Sequence, residues 1–74
     1  MGLDDLAKHV GRVVVAKMQG TDAGMDHLKA VAGELVSVTT NWASEYNMLF
    51  RGGDRLALLK DDLVVINDES FKLR

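Results

Sequence analysis

The sequence predicts an α+β fold: a small five-strand β-barrel or meander with an N-terminal helix and a second helix in the first long connection. Three observations carry this. Leu3, Leu6, Ala7 and Val10 recur at helical spacing near the start of the chain. Two β-rich runs, Tyr46 to Arg51 and Asp54 to Lys60, flank Gly52-Gly53, a pair that takes the positive φ values of a tight hairpin turn without steric cost. A polar break, Lys60-Asp61-Asp62, then precedes a third β-rich run, Leu63-Val64-Val65-Ile66.

Taken in order, the first helix spans Leu3 to Val10. Asp4 and Asp5 suit the positive end of its dipole, Gly11 is placed to end it, and Asp5 and His9 stand at i,i+4, where they can pair. Two readings compete for Arg12 to Met18. The run of valines favours a strand through its stiff χ1, whereas Val10, Val13, Val14 and Met18 would continue a helical stripe; the strand reading is adopted. Met25, Leu28, Val31, Ala32 and Leu35 recur at helical spacing, predicting a helix from about Asp22 to Ala32 capped by Thr21 or Asp22, with Gly33 opposing any extension. Leu35 to Thr40 is β-branched and alternating, hence a strand. Asn41 to Glu45 is a polar loop carrying the only Trp, and residues 68–74 read as a loosely ordered polar tail on which Phe71 and Leu73 can dock. The five strands are thus Arg12–Met18, Leu35–Thr40, Asn47–Arg51, Arg55–Lys60 and Leu63–Ile66, in a single domain covering residues 1–74.

A two-residue Gly52-Gly53 turn would set Arg51 opposite Asp54, Phe50 opposite Arg55, Leu49 opposite Leu56, Met48 opposite Ala57 and Asn47 opposite Leu58. Leu49, Leu56 and Leu58 then share one face. Tyr46, Met48, Phe50, Ala57 and Leu59 share the other. Such a hairpin is apolar on both sides and needs two covers: the sheet core, and either the N-terminal helix or a partner protein. The helix takes precedence because a small domain needs all its apolar surface.

Composition restricts the function classes. With 47% hydrophobic and 27% charged residues, the 74-residue chain is globular rather than disordered. Without Cys it has neither a disulfide nor a thiolate metal site. No apolar run approaches the roughly 20 residues of a membrane span. No signal-peptide pattern is present, and Met1-Gly2 lacks the Ser or Thr that a myristoylation start carries at position 6, where Leu6 stands. A cytoplasmic location is expected. Its net charge of -2, with bases scattered and Asp61, Asp62, Asp68 and Glu69 forming the strongest local cluster, disfavours a nucleic acid as direct ligand.

Catalytic and metal chemistry find no pattern. His9 and His27 lack metal-ligand spacing and read as surface helix residues. The Asp61-Asp62 and Asp68-Glu69 pairs lack the loop of a calcium site, and Ser37, Ser44 and Ser70 lack a nucleophile motif. The Gly-Gly pair is neither a P-loop nor a dinucleotide fingerprint. The chain is therefore expected to be a non-enzyme without cofactor, and a monomer when free. Its interface candidates are Trp42 and Tyr46, residues enriched in binding hot spots, joined by Phe50 and Arg51. For Trp42, capping the core from its loop is an equally weighted alternative.

Two resemblances extend this reading. The five-strand spacing resembles SH3-like and KOW-type barrels, whose final strands are joined by one short helical turn; Lys60-Asp61-Asp62 stands in that place, although the KOW glycine pattern is not evident. The whole chain, in its length, its acidic cysteine-free composition and its run from Met1-Gly2-Leu3-Asp4-Asp5-Leu6 to Asp61-Asp62-Leu63-Val64-Val65, resembles small bacteriophage-encoded regulators that bind host RNA polymerase. That resemblance implies a non-enzymatic effector occupying a polymerase surface in the host cytoplasm, and it assigns no individual residue. A nucleic-acid- or ribosome-associated SH3-like module and a small phage structural subunit are the alternative functions.

Overall fold

A computed structural model describes residues 1–18 and 29–74. Its elements are α1 (Leu3–Ala7), β1 (Val13–Met18), β2 (Lys29–Thr40), β3 (Tyr46–Phe50), β4 (Arg55–Leu58), β5 (Leu63–Ile66) and β6 (Glu69–Lys72). The strands form one antiparallel sheet in the order β4-β3-β2-β1-β5-β6. No hydrogen-bonded ladder joins the edge strands β4 and β6, so the sheet is open.

The long strand β2 organises this sheet. Residues 29–34 pair with β1, residues 35–40 pair with β3, and a register shift between Leu35 and Ser37 lies at the handover. Val36 is the extra residue of this bulge. Such an insertion bends a strand and re-phases its faces. Before the bulge Val31, Gly33 and Leu35 point inward, opposite Ala16, Val14 and Phe50; after it Val38 does, opposite Met48, while Thr40, opposite Tyr46, is exposed at the end of the strand. The bend folds the β3-β4 half over the β1-β5-β6 half, so that β1 and β4 pack together. It also explains how a short link crosses from edge strand to interior strand. In a flat sheet β4 and β5 would lie about 19 Å apart, beyond what residues 59–62 span once they turn. That link is held by Asp62 N–H to the Leu59 carbonyl (3.1 Å) and by Leu59 N–H to the Asp62 carboxylate (2.8 Å). With Asp61 at φ +74° the link is a tight turn rather than a turn of helix.

One core fills the space between the halves. Leu6, Val14, Leu35, Met48, Phe50, Leu58, Val64 and Leu73 are its fully buried large side chains. Alternation accounts for most of them: β3 runs buried-exposed-buried, and Val14 and Ala16 turn inward from β1 while Val13 faces water. α1 is short and contributes chiefly Leu6, packing against β2. Beyond Ala7 the chain continues in i→i-3 hydrogen bonds as far as Val10, and Gly11, at φ +92°, donates to the Leu35 carbonyl. The helix is thus shorter than the predicted Leu3–Val10, because the chain must turn to reach β2. Asp5 faces the Gly2 N–H at 3.4 Å and makes no bond to His9, whose buried Nδ1 has no hydrogen-bond partner among the described residues.

Three expectations are corrected. The helix predicted over Asp22–Ala32 gives way, at its described end, to strand: Lys29 to Ala32 pair with Val15 to Met18. Its remainder, with His27, lies outside the described residues. Ladder pairing with the valine-rich β1 outweighs the helical spacing of the side chains. The central hairpin is offset by one residue. Asn47 faces Ala57, Met48 faces Leu56 and Leu49 faces Arg55, because Arg51, Gly52 and Gly53 together form the loop and Phe50 N–H donates to the Asp54 carbonyl. A one-residue slip exchanges the faces of a strand. Leu56 and Leu58 therefore join Tyr46, Met48 and Phe50 in the core, and the hairpin needs only one cover. Finally, the tail expected to be loose is a strand. Glu69–Lys72 pairs with β5 across a two-residue turn, Asn67-Asp68, whose residues both take positive φ. Leu73 is buried, with its backbone bonded to Asp61 and Asp62.

Candidate docking site

The β2–β3 loop is fixed by a single side chain. The Asn41 carboxamide oxygen accepts the N–H groups of Ala43 (2.9 Å) and Glu45 (3.2 Å), and its nitrogen donates to the Glu45 carboxylate (3.0 Å). Ser44, at φ +60°, donates its N–H to the Asn41 carbonyl at 3.0 Å. Asn is suited to this role because its short amide reproduces the hydrogen bonding of a backbone turn. The loop so ordered carries Trp42, which is 97% exposed. Capping of the core by Trp42 is thereby ruled out. A large apolar ring held in water on a hydrogen-bonded loop is an unusual use of the residue, since Trp is highly buried on average.

The other predicted interface residues separate. Tyr46 is 6% exposed, faces the core from the first position of β3, and donates its hydroxyl to the Arg74 carbonyl at 2.5 Å. Phe50 is 1% exposed at the opposite end of that strand. Both are core residues and present no surface to a partner. Arg51 is exposed, but it lies across β3 from the Trp42 loop, about 17 Å away at strand rise. It stands 3.5 Å from Glu34, not opposite Asp54 as a two-residue turn would place it. Of the four candidates, only Trp42 and Arg51 are accessible, and they do not adjoin.

Next to the Trp42 loop lies a groove that the sequence reading missed. It occupies the outward face of β2, β3 and β4, encloses about 460 Å³, and is lined by Ser37, Thr39, Asn47, Leu49, Arg55 and Ala57. The strand register arranges these side chains in two rows. Ser37, Leu49 and Arg55 form one; Thr39, Asn47 and Ala57 form the other, nearer Trp42. Ser, Thr, Asn and Ala are short, and that leaves the depression beside the longer Leu49 and Arg55. The sequence signal was the polar alternation of Ser37, Thr39 and Asn47. Reading it required the correct hairpin offset, which moves Arg55 from beside Phe50 to beside Leu49.

Among the described residues, no group of His, Asp or Glu gathers to hold a metal ion, and no helix is long and apolar enough to cross a membrane. Asp62, one of the acidic cluster, is buried and turned to the Leu59 N–H. No protein-family model, curated protein or solved structure matches the chain.

Proposed function

We propose that this chain is a non-enzymatic regulator that docks on bacterial RNA polymerase and inhibits or redirects transcription by occupying a protein surface. The single observation carrying the docking is Trp42: nearly all of its ring is in water, on a loop already ordered by four hydrogen bonds. An anchor prepared in this way loses little conformational entropy on binding, and Trp is among the side chains most enriched at energetic centres of interfaces. Polymerase as the partner rests on the sequence resemblance. The strand order β4-β3-β2-β1-β5 supports an SH3-like reading of the fold, with β6 added beside β5.

The test is capture by the tagged chain from nuclease-treated bacterial lysate, comparing wild type with Trp42→Ala. Wild type is expected to retain core RNA polymerase with σ factor depleted, and the variant to bind about thirtyfold more weakly, equivalent to roughly 2 kcal/mol. Recovery of the bait alone, as oligomers, would overturn the proposal in favour of a structural subunit.

A further inference from the structure

We infer that the groove over β2, β3 and β4 receives an acidic side chain of an extended peptide, Arg55 holding the carboxylate while Asn47 and Thr39 contact the residue two positions away. The inference rests on the protein-docking reading and deepens it by naming what the partner presents beside Trp42.

The lining supplies the chemistry. Arg55 is the one charged residue of the groove, no carboxylate lines it, and among the described residues no ion pair engages the guanidinium. Its planar fork of donors matches the two oxygens of a carboxylate. Asn47, Thr39 and Ser37 likewise leave their side-chain polar groups unbonded by any described residue, and they add donors and acceptors beside it. Leu49 stands between Ser37 and Arg55 in its row, an apolar patch for the stem of a Glu side chain.

Geometry favours a peptide in extended form. The two rows lie two residues apart along each strand, about 6.8 Å, which is also the spacing of alternate side chains in an extended chain. An acidic residue over the Arg55 row thus brings the side chain two positions on to Asn47 and Thr39. The row of Asn47 and Thr39 is the one nearer the Trp42 loop along β2 and β3. A nucleic acid is the poorer occupant. Single strands are held by several cations and by aromatic rings on which bases stack, and this groove has one cation and no ring.

The test is a titration of the isotopically labelled full chain, followed by amide chemical shifts. The probes are a capped hexaglutamate peptide, a capped hexalysine peptide, sodium acetate and hexathymidylate. Hexaglutamate is expected to move the amides of Ser37, Thr39, Asn47, Leu49, Arg55 and Ala57. Arg55→Gln should weaken it about tenfold, and Arg55→Lys by less, as loss of a charge-assisted pair requires. Arg12→Gln, a charge loss outside the groove, should leave the affinity unchanged. Shifts centred on other basic residues, an unchanged response in Arg55→Gln, or equal shifts with acetate would overturn the inference. Tighter binding of hexathymidylate would replace the peptide by a nucleic acid and overturn it as well. The capture assay separates the two readings: undiminished capture by Arg55→Gln, with loss in Trp42→Ala, sinks the groove and leaves the docking. No capture by wild type sinks the docking, and the titration then decides the groove alone.

Discussion

Trp42 and Phe50 are chemically similar residues eight positions apart, and the fold gives them opposite tasks. Phe50 sits in phase with the inward face of β3 and opposite Leu35, so its ring is core. Trp42 lies in the loop before that strand, beyond the reach of the alternation, and the Asn41 amide keeps it there. Removing a buried aromatic ring forfeits its transfer free energy and leaves a cavity, whereas removing one already in water forfeits almost nothing. Phe50→Ala should therefore destabilise the chain by about 3–5 kcal/mol in urea unfolding, and Trp42→Ala should stay within about 0.5 kcal/mol of wild type. Comparable losses from the two would show that Trp42 is a packing residue and remove the support for docking. This pair also marks what residue type alone conveys. Aromatic character identified both as important, but which one faces water depends on strand phase and loop bonding, neither of which is a property of the residue.

At the scale of elements, legibility followed the number of local constraints. β1 was read as a strand against a competing helical stripe, because the stiff χ1 of consecutive valines favours extended chain. The first part of β2 was not, since Val31, Ala32 and Leu35 sit at helical spacing and only pairing with β1 makes residues 29–34 a strand. The Val36 bulge was invisible for a similar reason: its register is set by two different partner strands. β6 was missed although Asn67-Asp68, two residues tolerant of positive φ, marked its hairpin. The central hairpin was identified but placed one residue off, because Gly-Gly serves a two-residue turn and the tail of a three-residue loop equally well. That loop holds Gly52 at φ +98° and Gly53 at φ +93°, with open space where a Cβ would stand. The cost of a side chain there is therefore conformational alone. Gly53→Ala should lower stability by about 1–2 kcal/mol, and D-alanine at the same position, placed by chemical synthesis, should restore it. If both enantiomers are equally destabilising, the positive φ is not what the loop requires.

For the whole molecule, the two ends of the chain are fastened to each other and to the β4–β5 link. The Met1 amino group donates to the Lys72 carbonyl at 2.8 Å, and Arg74 N–H donates to the Met1 carbonyl at 3.0 Å. Leu73 N–H bonds the Asp62 carbonyl at 2.8 Å, Asp61 N–H bonds the Leu73 carbonyl at 2.9 Å, and the Tyr46 hydroxyl reaches Arg74. A domain of this size has little stability to lose, so an element that buries one leucine and forms the ladder on the outer side of β5 is a large fraction of the whole. Removing residues 69–74 takes away the β5 partner, the Leu73 side chain worth about 1.5–3 kcal/mol and the acceptor of the Tyr46 hydroxyl, whose oxygen is left partly buried. The expected outcome is loss of cooperative thermal unfolding and of dispersed amide shifts, not a trimmed native domain. A truncated chain that still melts cooperatively would show these residues to be the dispensable tail that their polarity implied. If they are structural, removing them should also abolish capture by the Trp42 loop, because Tyr46, the first residue of β3, borders that loop and donates its hydroxyl to the same end of the chain.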